Sequence, residues 1–415
     1  MAPHEGLVHP KEYDIKDSNV ELIGSDLDHR VKYASAATEP AWNDGRVGVE
    51  PGLFIWRIEN FQVIPWPRER YGEFYAGDSY IVLHSVKLKK KTNQQDGEDE
   101  ENKLRHDIFF WLGSKTSQDE AGTAAYKTVE LDEFLHGAAT QHREVQISPS
   151  EEFTSLFKRI MIRAGGVASG FTHVEQEITP KEITTLLRVF KHPASTGRID
   201  STIVYEVEPT WKSLDDDDVF VLDKGEKIWV WQGRNCSPME KAKAAQVVND
   251  MTLAKHVDVE VLSRHEARSR VVVDLLGGKE VDSISTIFAA PRPISGSGVK
   301  RAALESSGSG ASVRPRKLFR LSDASGQLQF DLVKEGGPVR KSDFDGNDVF
   351  LYDVGSQLWV WQGQGASERE KALWLKVAQA YVRHMQNQEE ELYMIPIAKV
   401  VQDYESPSFL KTVDF

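Results

Sequence analysis

A single cysteine, Cys236, occurs in the 415 residues of the chain. That excludes a disulfide framework and any cysteine-based zinc cluster. Long apolar runs are missing too, since no stretch approaches the roughly 18 unbroken apolar residues of a membrane span. The opening MAPHEGLVHPKEYD lacks a basic segment followed by an apolar one, so no secretory signal is expected there. Positive charge is in deficit: 51 Lys and Arg face 64 Asp and Glu, a net charge of −13 at pH 7. Such a chain is poorly suited to nucleic acid, whose counterions are displaced by basic surface. The expectation is a soluble protein of a reducing compartment, with an acidic balance that suits a holder of divalent cations. What is present is core material, with 40% apolar and 9% aromatic residues. At roughly 100–200 residues per domain, the length allows two to four domains.

The chain repeats itself. DVFVLDKGEKIWVWQG begins at Asp218 and DVFLYDVGSQLWVWQG at Asp348, with ten of sixteen residues identical. Around these segments the periodicity predicts one order three times: strands, then a long helix, then a strand. The first copy reads GLFIWRIENF, YGEFYAGDSYIVLHSVKL and HDIFFWLG as strands, with a helix at 117–135, the strand HREVQIS and a short helix EEFTSLFKRI. Ser117 suits the helix N-cap. Ala125, Val129, Leu131 and Leu135, with Tyr126 beside them, fall near helical spacing. The second copy supplies ITTLLRVF, STIVYEVEP, DVFVLD, KIWVWQG, the helix SPMEKAKAAQVVNDM and VDVEVLS. KLFRLSD, QLQFDLVKE, DVFLYD, QLWVWQG, the helix SEREKALWLKVAQAYVRHM and EELYMIPI (390–397) make the third. The reading is an α+β chain: an arm at 1–50, domains at 51–172, 173–290 and 317–415, and a Gly/Ser/Pro-rich flexible linker at 291–316. KKKTNQQDGEDEEN (89–102) reads as a solvated loop, and TPKEITT (179–185) as a helix start.

No catalytic constellation emerges. GGKE at 277–280 lacks the upstream Gly and the Ser/Thr of a phosphate-binding loop. SDFDGND (342–348) imitates the start of an EF-hand, but Val354 stands where its bidentate Glu is required. The carboxylates are more telling. Asp218 opens a strand and Glu240 enters the next helix 22 residues later; Asp348 and Glu370 are also 22 apart. Asp78 and Glu120 are 42 apart, the excess of 20 matching the charged loop in between. Two carboxylates brought together repel unless a cation neutralises them, and Ca²⁺ accepts carboxylates with backbone carbonyls. The plainer alternative is that the Glu is favoured by the helix dipole alone and the Asp is an ordinary turn residue.

GLFIWRIENF, YGEFYAGDSYIVL, FFWLGSKTSQDEAG, LDEFLHGAATQHREVQ and GGVASGF resemble the first domain of the gelsolin/villin superfamily. The arm, with KEYDIKDSNVELIGSDLD and TEPAW, is similar to its three-domain severin- and fragmin-like branch. The resemblance implies three gelsolin-like domains, each a mixed five- or six-stranded sheet sandwiched between a long and a short helix. It implies calcium-dependent severing of actin filaments, barbed-end capping and nucleation by a cytoplasmic, monomeric protein of the actin cytoskeleton that is not an enzyme. Two other readings stay open: a capper that does not sever, and a non-actin scaffold.

Carried over by the resemblance, the first domain's calcium site uses the Gly77 carbonyl, Asp78, Glu120 and the Val167 carbonyl. A second ion, shared with actin, uses Asp132 with the carbonyls of Gly137 and Ala139. Asp217 (carbonyl), Asp218 and Glu240 form the second domain's set, and Asn347 (carbonyl), Asp348 and Glu370 the third's. Helix 117–135 lies in an actin cleft with Tyr126 and Val129 as anchors and Glu130 and Glu133 as polar partners. Lys127 stands where some relatives have an aromatic. The basic residues Lys158, Arg159, Arg163, Arg188, Lys191 and Arg198 answer to the family's phosphoinositide-binding stretches. The lone Cys236 lacks the disulfide partner found in secreted relatives.

Overall fold

A computed structural model describes residues 36–87, 104–137, 139–167, 184–191, 202–254, 257–282, 285–293, 315–355, 357–386 and 395–413. Outside these lie residues 1–35 of the arm, the charged loop at 89–102, Arg198 and most of the 291–316 linker. Residues 179–183 of the expected helix start at 179–185 also lie outside, and Thr185 begins a strand.

Strand formation follows from alternating side chains that feed two cores at once. In β5 (Leu104–Leu112), Ile108 and Phe110 enter one core while Phe109 and Trp111 enter the other. The first repeat continues this pattern through β1 (Gly52–Glu59), β2 (Gln62–Pro65), β3 (Glu73–Tyr75), β4 (Ser79–Lys87), β6 (Thr140–Val145) and β7 (Ile160–Arg163). Its helices are α1 (Gln118–Phe134) and α2 (Glu151–Thr154). In the second repeat, β8 (Thr185–Lys191), β9 (Thr202–Val207), β10 (Val219–Asp223), β11 (Lys227–Gln232) and β12 (Asp258–Ser263) accompany α3 (Pro238–Ala254) and α4 (Arg270–Leu275). β13 (Lys317–Ser322), β14 (Gln329–Glu335), β15 (Val349–Asp353), β16 (Leu358–Gln362) and β17 (Ile397–Val401), with α5 (Glu368–Gln386) and α6 (Pro407–Leu410), form the third.

Each repeat contributes a five-stranded mixed run to the sheets, in the orders β2-β1-β4-β5-β6, β9-β8-β10-β11-β12 and β14-β13-β15-β16-β17. The last pair of each run is parallel, across the long helix as crossover, and the rest are antiparallel. A long helix covers one face and a short one the other. Ala124, Leu131 and Leu135 of α1 and its C-cap reach one core, and Phe153 of α2 the other. The corresponding residues are Ala244 and Val247 against Val272 and Val273, then Ala378 and Val382 against Phe409. The repeated tryptophans explain themselves here: Trp231 and Trp361 fill the short-helix side, whereas Val230 and Val360 between the paired tryptophans face the long helix.

Three details go beyond the sequence reading. The inward stripe of α1 is Ala124, Thr128, Leu131 and Leu135, all buried, while Ala125 and Val129 are half-buried and Tyr126 is exposed. Of the expected strand EELYMIPI, residues 390–394 lie outside the described residues, and the described strand is Ile397–Val401. Pro396 has no N–H for a ladder, its carbonyl accepts from Leu358 N at 3.0 Å, and pairing with β16 starts at Ile397. The arm's final residues also belong to the first core: Trp42 is fully buried, edge-on to Trp56 at 5.5 Å, and Trp56 Nε1 donates to the Ala41 carbonyl.

The repeats join through their sheets. β6 pairs antiparallel with β17, so the first and third repeats share a ten-stranded sheet. β7 pairs with β9, and β3 with β7, extending the second repeat's run to seven strands.

Candidate functional site

The same small construction recurs at the start of each long helix. A glycine ends the strand before it and donates to the carbonyl of the repeat's aspartate: Gly113 to Asp78, Gly233 to Asp218 and Gly363 to Asp348, each at 3.0 Å. Two residues on, Lys115, Asn235 and Gly365 donate to Ala76, Asp216 and Gly346, each at 2.8 Å. This double staple fixes the helix entry against the aspartate-bearing turn, so each Asp/Glu pair is brought to one place. All six carboxylates are buried: Asp78, Asp218, Asp348, Glu120, Glu240 and Glu370. Each Glu lies three residues after a serine whose Oγ accepts its backbone N–H: Ser117, Ser237 and Ser367. The first-turn Glu therefore does cap its helix. The repeated S-x-x-E was the signal for this in the sequence.

The three pairs differ in what is left over. Asp78 Oδ1 accepts from Val167 N at 2.8 Å and Oδ2 faces Arg57 Nη1 at 3.4 Å. Glu120 Oε2 accepts from Thr116 Oγ1 at 3.0 Å, while its buried Oε1 has no hydrogen-bond partner among the described residues. Burial raises the Asp78 carboxyl above the usual carboxylate range; burial also raises Glu120, with the Asp78 charge adding to it. Gly77 N bonds the Gly165 carbonyl at 2.7 Å, and a Cβ on Gly166 would fall 2.4 Å from Asp78 Oδ1. The GGV loop therefore wraps the carboxylate closely and holds Val167 beside it. An orphaned buried oxygen, a second buried carboxylate and a backbone loop fit a hard divalent cation such as Ca²⁺.

In the second repeat neither carboxylate of the Asp218/Glu240 pair has an oxygen left over. Asp218 Oδ2 accepts from Arg188 Nε at 2.6 Å and Oδ1 from Arg292 Nη2 at 3.1 Å. Glu240 Oε1 accepts from Lys191 N at 2.9 Å, and Oε2 from Ser237 N and Oγ at 2.8 and 2.9 Å. Burial pushes Asp218 up to about 6 even against the Arg188 and Arg292 charges. Asp217 is tied instead to Asp215 and Asn235. The third repeat is intermediate. Glu370 is occupied by Asp323 N at 2.8 Å and Ser367 N at 3.1 Å, whereas Asp348 meets Arg320 only at 3.9 Å. Burial raises Glu370, and the Asp348 charge adds to it. Asn347 sits in the preceding turn, its N bonded to Asp345 Oδ1. Among the described residues no group of three or more His, Cys, Asp or Glu side chains gathers as a metal cluster, so a cation here would rely on paired carboxylates and carbonyls.

Asp132, on the last turn of α1, is buried. Its Oδ1 accepts from Ala139 N at 3.0 Å and Oδ2 from Gln141 Nε2 at 2.5 Å. Gly137 N bonds the Asp132 carbonyl, with Gly137 at φ 72, the left-handed turn that stops the helix. Lys399 Nζ, from β17 of the third repeat, lies 3.6 Å from Asp132 Oδ2. Together with Val129, Glu133 and Gln141 these residues line a cavity of about 250 Å³ facing Trp374 and Lys371 of α5. Tyr126 is 54% exposed. Glu130 is not an exposed partner: it is buried and ion-paired to Lys127 at 2.6 Å, and Lys127 also holds Glu39 of the arm at 2.8 Å. Both of the helix's neighbouring charges are thereby enlisted internally.

The basic residues are scattered. Arg188 is 1% exposed and committed to Asp215 and Asp218, so it cannot meet a headgroup. Arg159 pairs with Asp250, and Arg163 with Glu206 at 3.0 Å. Lys158 and Lys191 are exposed.

A family model described as Gelsolin repeat matches residues 60–154, 201–278 and 333–410. One match falls in each repeat, covering part of its five-stranded run. Gelsolin-like protein 1 of Lumbricus terrestris is 39% identical over 381 residues, covering 91% of this chain and 92% of that protein. Severin of Echinococcus granulosus is 34% identical over 415 residues, 98% and 99% of the two chains. Gelsolin of Gallus gallus is 35% identical over 345 residues, which is 82% of this chain but 40% of that longer protein. With three matched repeats on three like-built sandwiches, and relatives of its own length aligned over almost all of it, the chain belongs to the gelsolin family.

Proposed function

We propose that the chain is a calcium-regulated actin-binding protein that severs filaments, caps their barbed ends and nucleates new ones. As a member of the gelsolin family it is a binding protein and not an enzyme. The observation that carries the reading is the setting of α1. Tyr126 is exposed on it, but Val129, Asp132 and Glu133 face the third repeat across a narrow cavity, with Lys399 against Asp132. This is a closed arrangement in which part of the actin-binding helix is covered. Calcium, when bound, would add positive charge between Asp78 and Glu120, where only Arg57 stands beside Asp78 at 3.4 Å, and would replace the Lys399 ammonium at Asp132. Losing Lys399 from Asp132 loosens the third repeat and frees the helix, so a ligand that prefers the open form shifts the population. Second-repeat contact with a filament side then positions α1 between subunits.

The chain acts as a monomer in the cytoplasm, at the actin cytoskeleton. No helix among the described residues is long and apolar enough to cross a membrane. A response to phosphoinositides rests on Lys158, Lys191 and the acid-paired Arg159 and Arg163, and is weak by that measure: basic residues contribute about 1 kcal/mol each near an anionic surface.

Single fluorescent actin filaments imaged first in chelator and then in micromolar calcium test the proposal. Breaks along filaments only with calcium are expected. Arrest of barbed-end growth without breaks would make the chain a capper, and no effect on filaments would make it a scaffold. Glu120→Gln should raise the calcium needed for breakage at least tenfold, since it removes one of the two charges of the first site.

A further inference from the structure

The first strand of every repeat carries an arginine at one register position. Arg57 lies opposite Tyr80, Arg188 opposite Phe220 and Arg320 opposite Phe350, each two residues beyond the repeat's aspartate. Each guanidinium faces that aspartate, but with very different commitment. Arg57 reaches Asp78 at 3.4 Å while also pairing with Glu59 and lying over the Trp66 ring at 4.6 Å. Arg320 is 3.9 Å from Asp348 and half exposed. Arg188 is sealed inside. Its Nε binds Asp218, its Nη2 binds Asp215 at 2.9 Å, and its Nη1 donates to the carbonyls of Ala290 and Pro291 at 3.2 and 2.9 Å.

A second difference follows from the loop after that strand. Three residues past the arginine, Lys191 N and Asp323 N fill Glu240 Oε1 and Glu370 Oε1. In the first repeat the same position is Asn60, which with Phe61 forms a two-residue hairpin turn at φ 49 and 65, closed by the Glu59–Gln62 pair. Among the described residues, Glu120 Oε1 is left without a hydrogen-bond partner.

We infer that Arg188 occupies the cation position of the second repeat, so that Asp218 and Glu240 take no calcium at concentrations that fill the first repeat. The inference rests on the calcium reading of the first repeat given above, and departs from the set of three like sites that the sequence suggested. The tethered guanidinium is always present at high effective concentration. Its removal from Asp218 would leave a buried cation facing only Asp215 and two carbonyls, a costly separation. An incoming ion would also have to displace the Lys191 amide. The second repeat is thus set in its charged, neutralised form by its own chain, and the first is set up to respond.

Equilibrium dialysis of the full chain with radioactive calcium, over the range that saturates its tightest sites, decides the matter. Asp78→Asn should lose one bound ion, Asp218→Asn none, and Arg188→Gln should gain one. Loss of an ion by Asp218→Asn overturns the inference, as does a folded Arg188→Gln protein with no gain. Because Arg188→Gln leaves Asp215 and Asp218 unpaired, its fold is checked by circular dichroism; if it fails to fold, Asp218→Asn decides alone. Retention of every ion by Asp78→Asn would instead sink the first-repeat assignment, a failure distinguishable from the other two.

Discussion

Glu144 is wholly buried between β6 and α2, where its carboxyl accepts from Ser150 N at 2.7 Å and from Ser150 Oγ at 2.6 Å. Burial pushes it from its ordinary 4.5 up to about 7. The folded chain therefore holds this proton more tightly than the unfolded chain does. Its contribution to stability declines as pH rises from about 4.5 to about 7 and is flat above that. Glu144→Gln should flatten that segment of a plot of urea midpoint against pH. Of the site residues, Asp78, Asp218, Asp348 and their glutamates were legible because they recur in register with like neighbours. Their arginine partners were not. They precede the aspartates by 21, 30 and 28 residues, so unequal loops hide a match that appears only once strands are paired.

At the level of the element, the strand-closing glycine is the part that tolerates least. A Cβ on Gly233 would meet the Asp216 carbonyl oxygen at 2.4 Å, and one on Gly113 the Ala76 oxygen at 2.4 Å. These are backbone atoms, so something structural must move. Gly233→Ala should destabilise the chain by about 1–3 kcal/mol, read from the midpoint of chemical unfolding. Trp231→Ala should cost more, about 3–5 kcal/mol, because it empties the short-helix core around Phe220 and Phe288. Strands and long helices were readable from period and flanking residues. Helical spacing alone left open which residues of α1 face inward; Ala124 and Thr128 do, small side chains that are fully buried against the sheet. Where pairing with β16 begins was not readable, because an apolar run across Pro396 looks continuous until the ladder, which starts at Ile397, demands an N–H.

For the molecule as a whole, three similar domains were readable from the repeated segments, but their fusion into shared sheets was not. Edge pairing between β6 and β17 depends on how the domains are turned, which no local pattern records. That seam is short: Arg143 faces Ile397, His142 faces Ala398 and Gln141 faces Lys399. Lys399 adds its ion pair with Asp132 and lies near the Trp374 ring. Lys399→Met should weaken the closed arrangement, seen as a larger radius of gyration by small-angle X-ray scattering in chelator, with unfolding of the first repeat unchanged. An unaltered radius would show that the strand pairing holds the repeats together without it.

Any state in which that seam parts turns two interior strands into raw edges with unpaired N–H and C=O groups. Arg143 and Lys399 put charge on those edges, the ordinary guard against sticking to another chain. The opened form should nonetheless be the less soluble one, and its lifetime without a partner should set how concentrated the protein can be kept once activated.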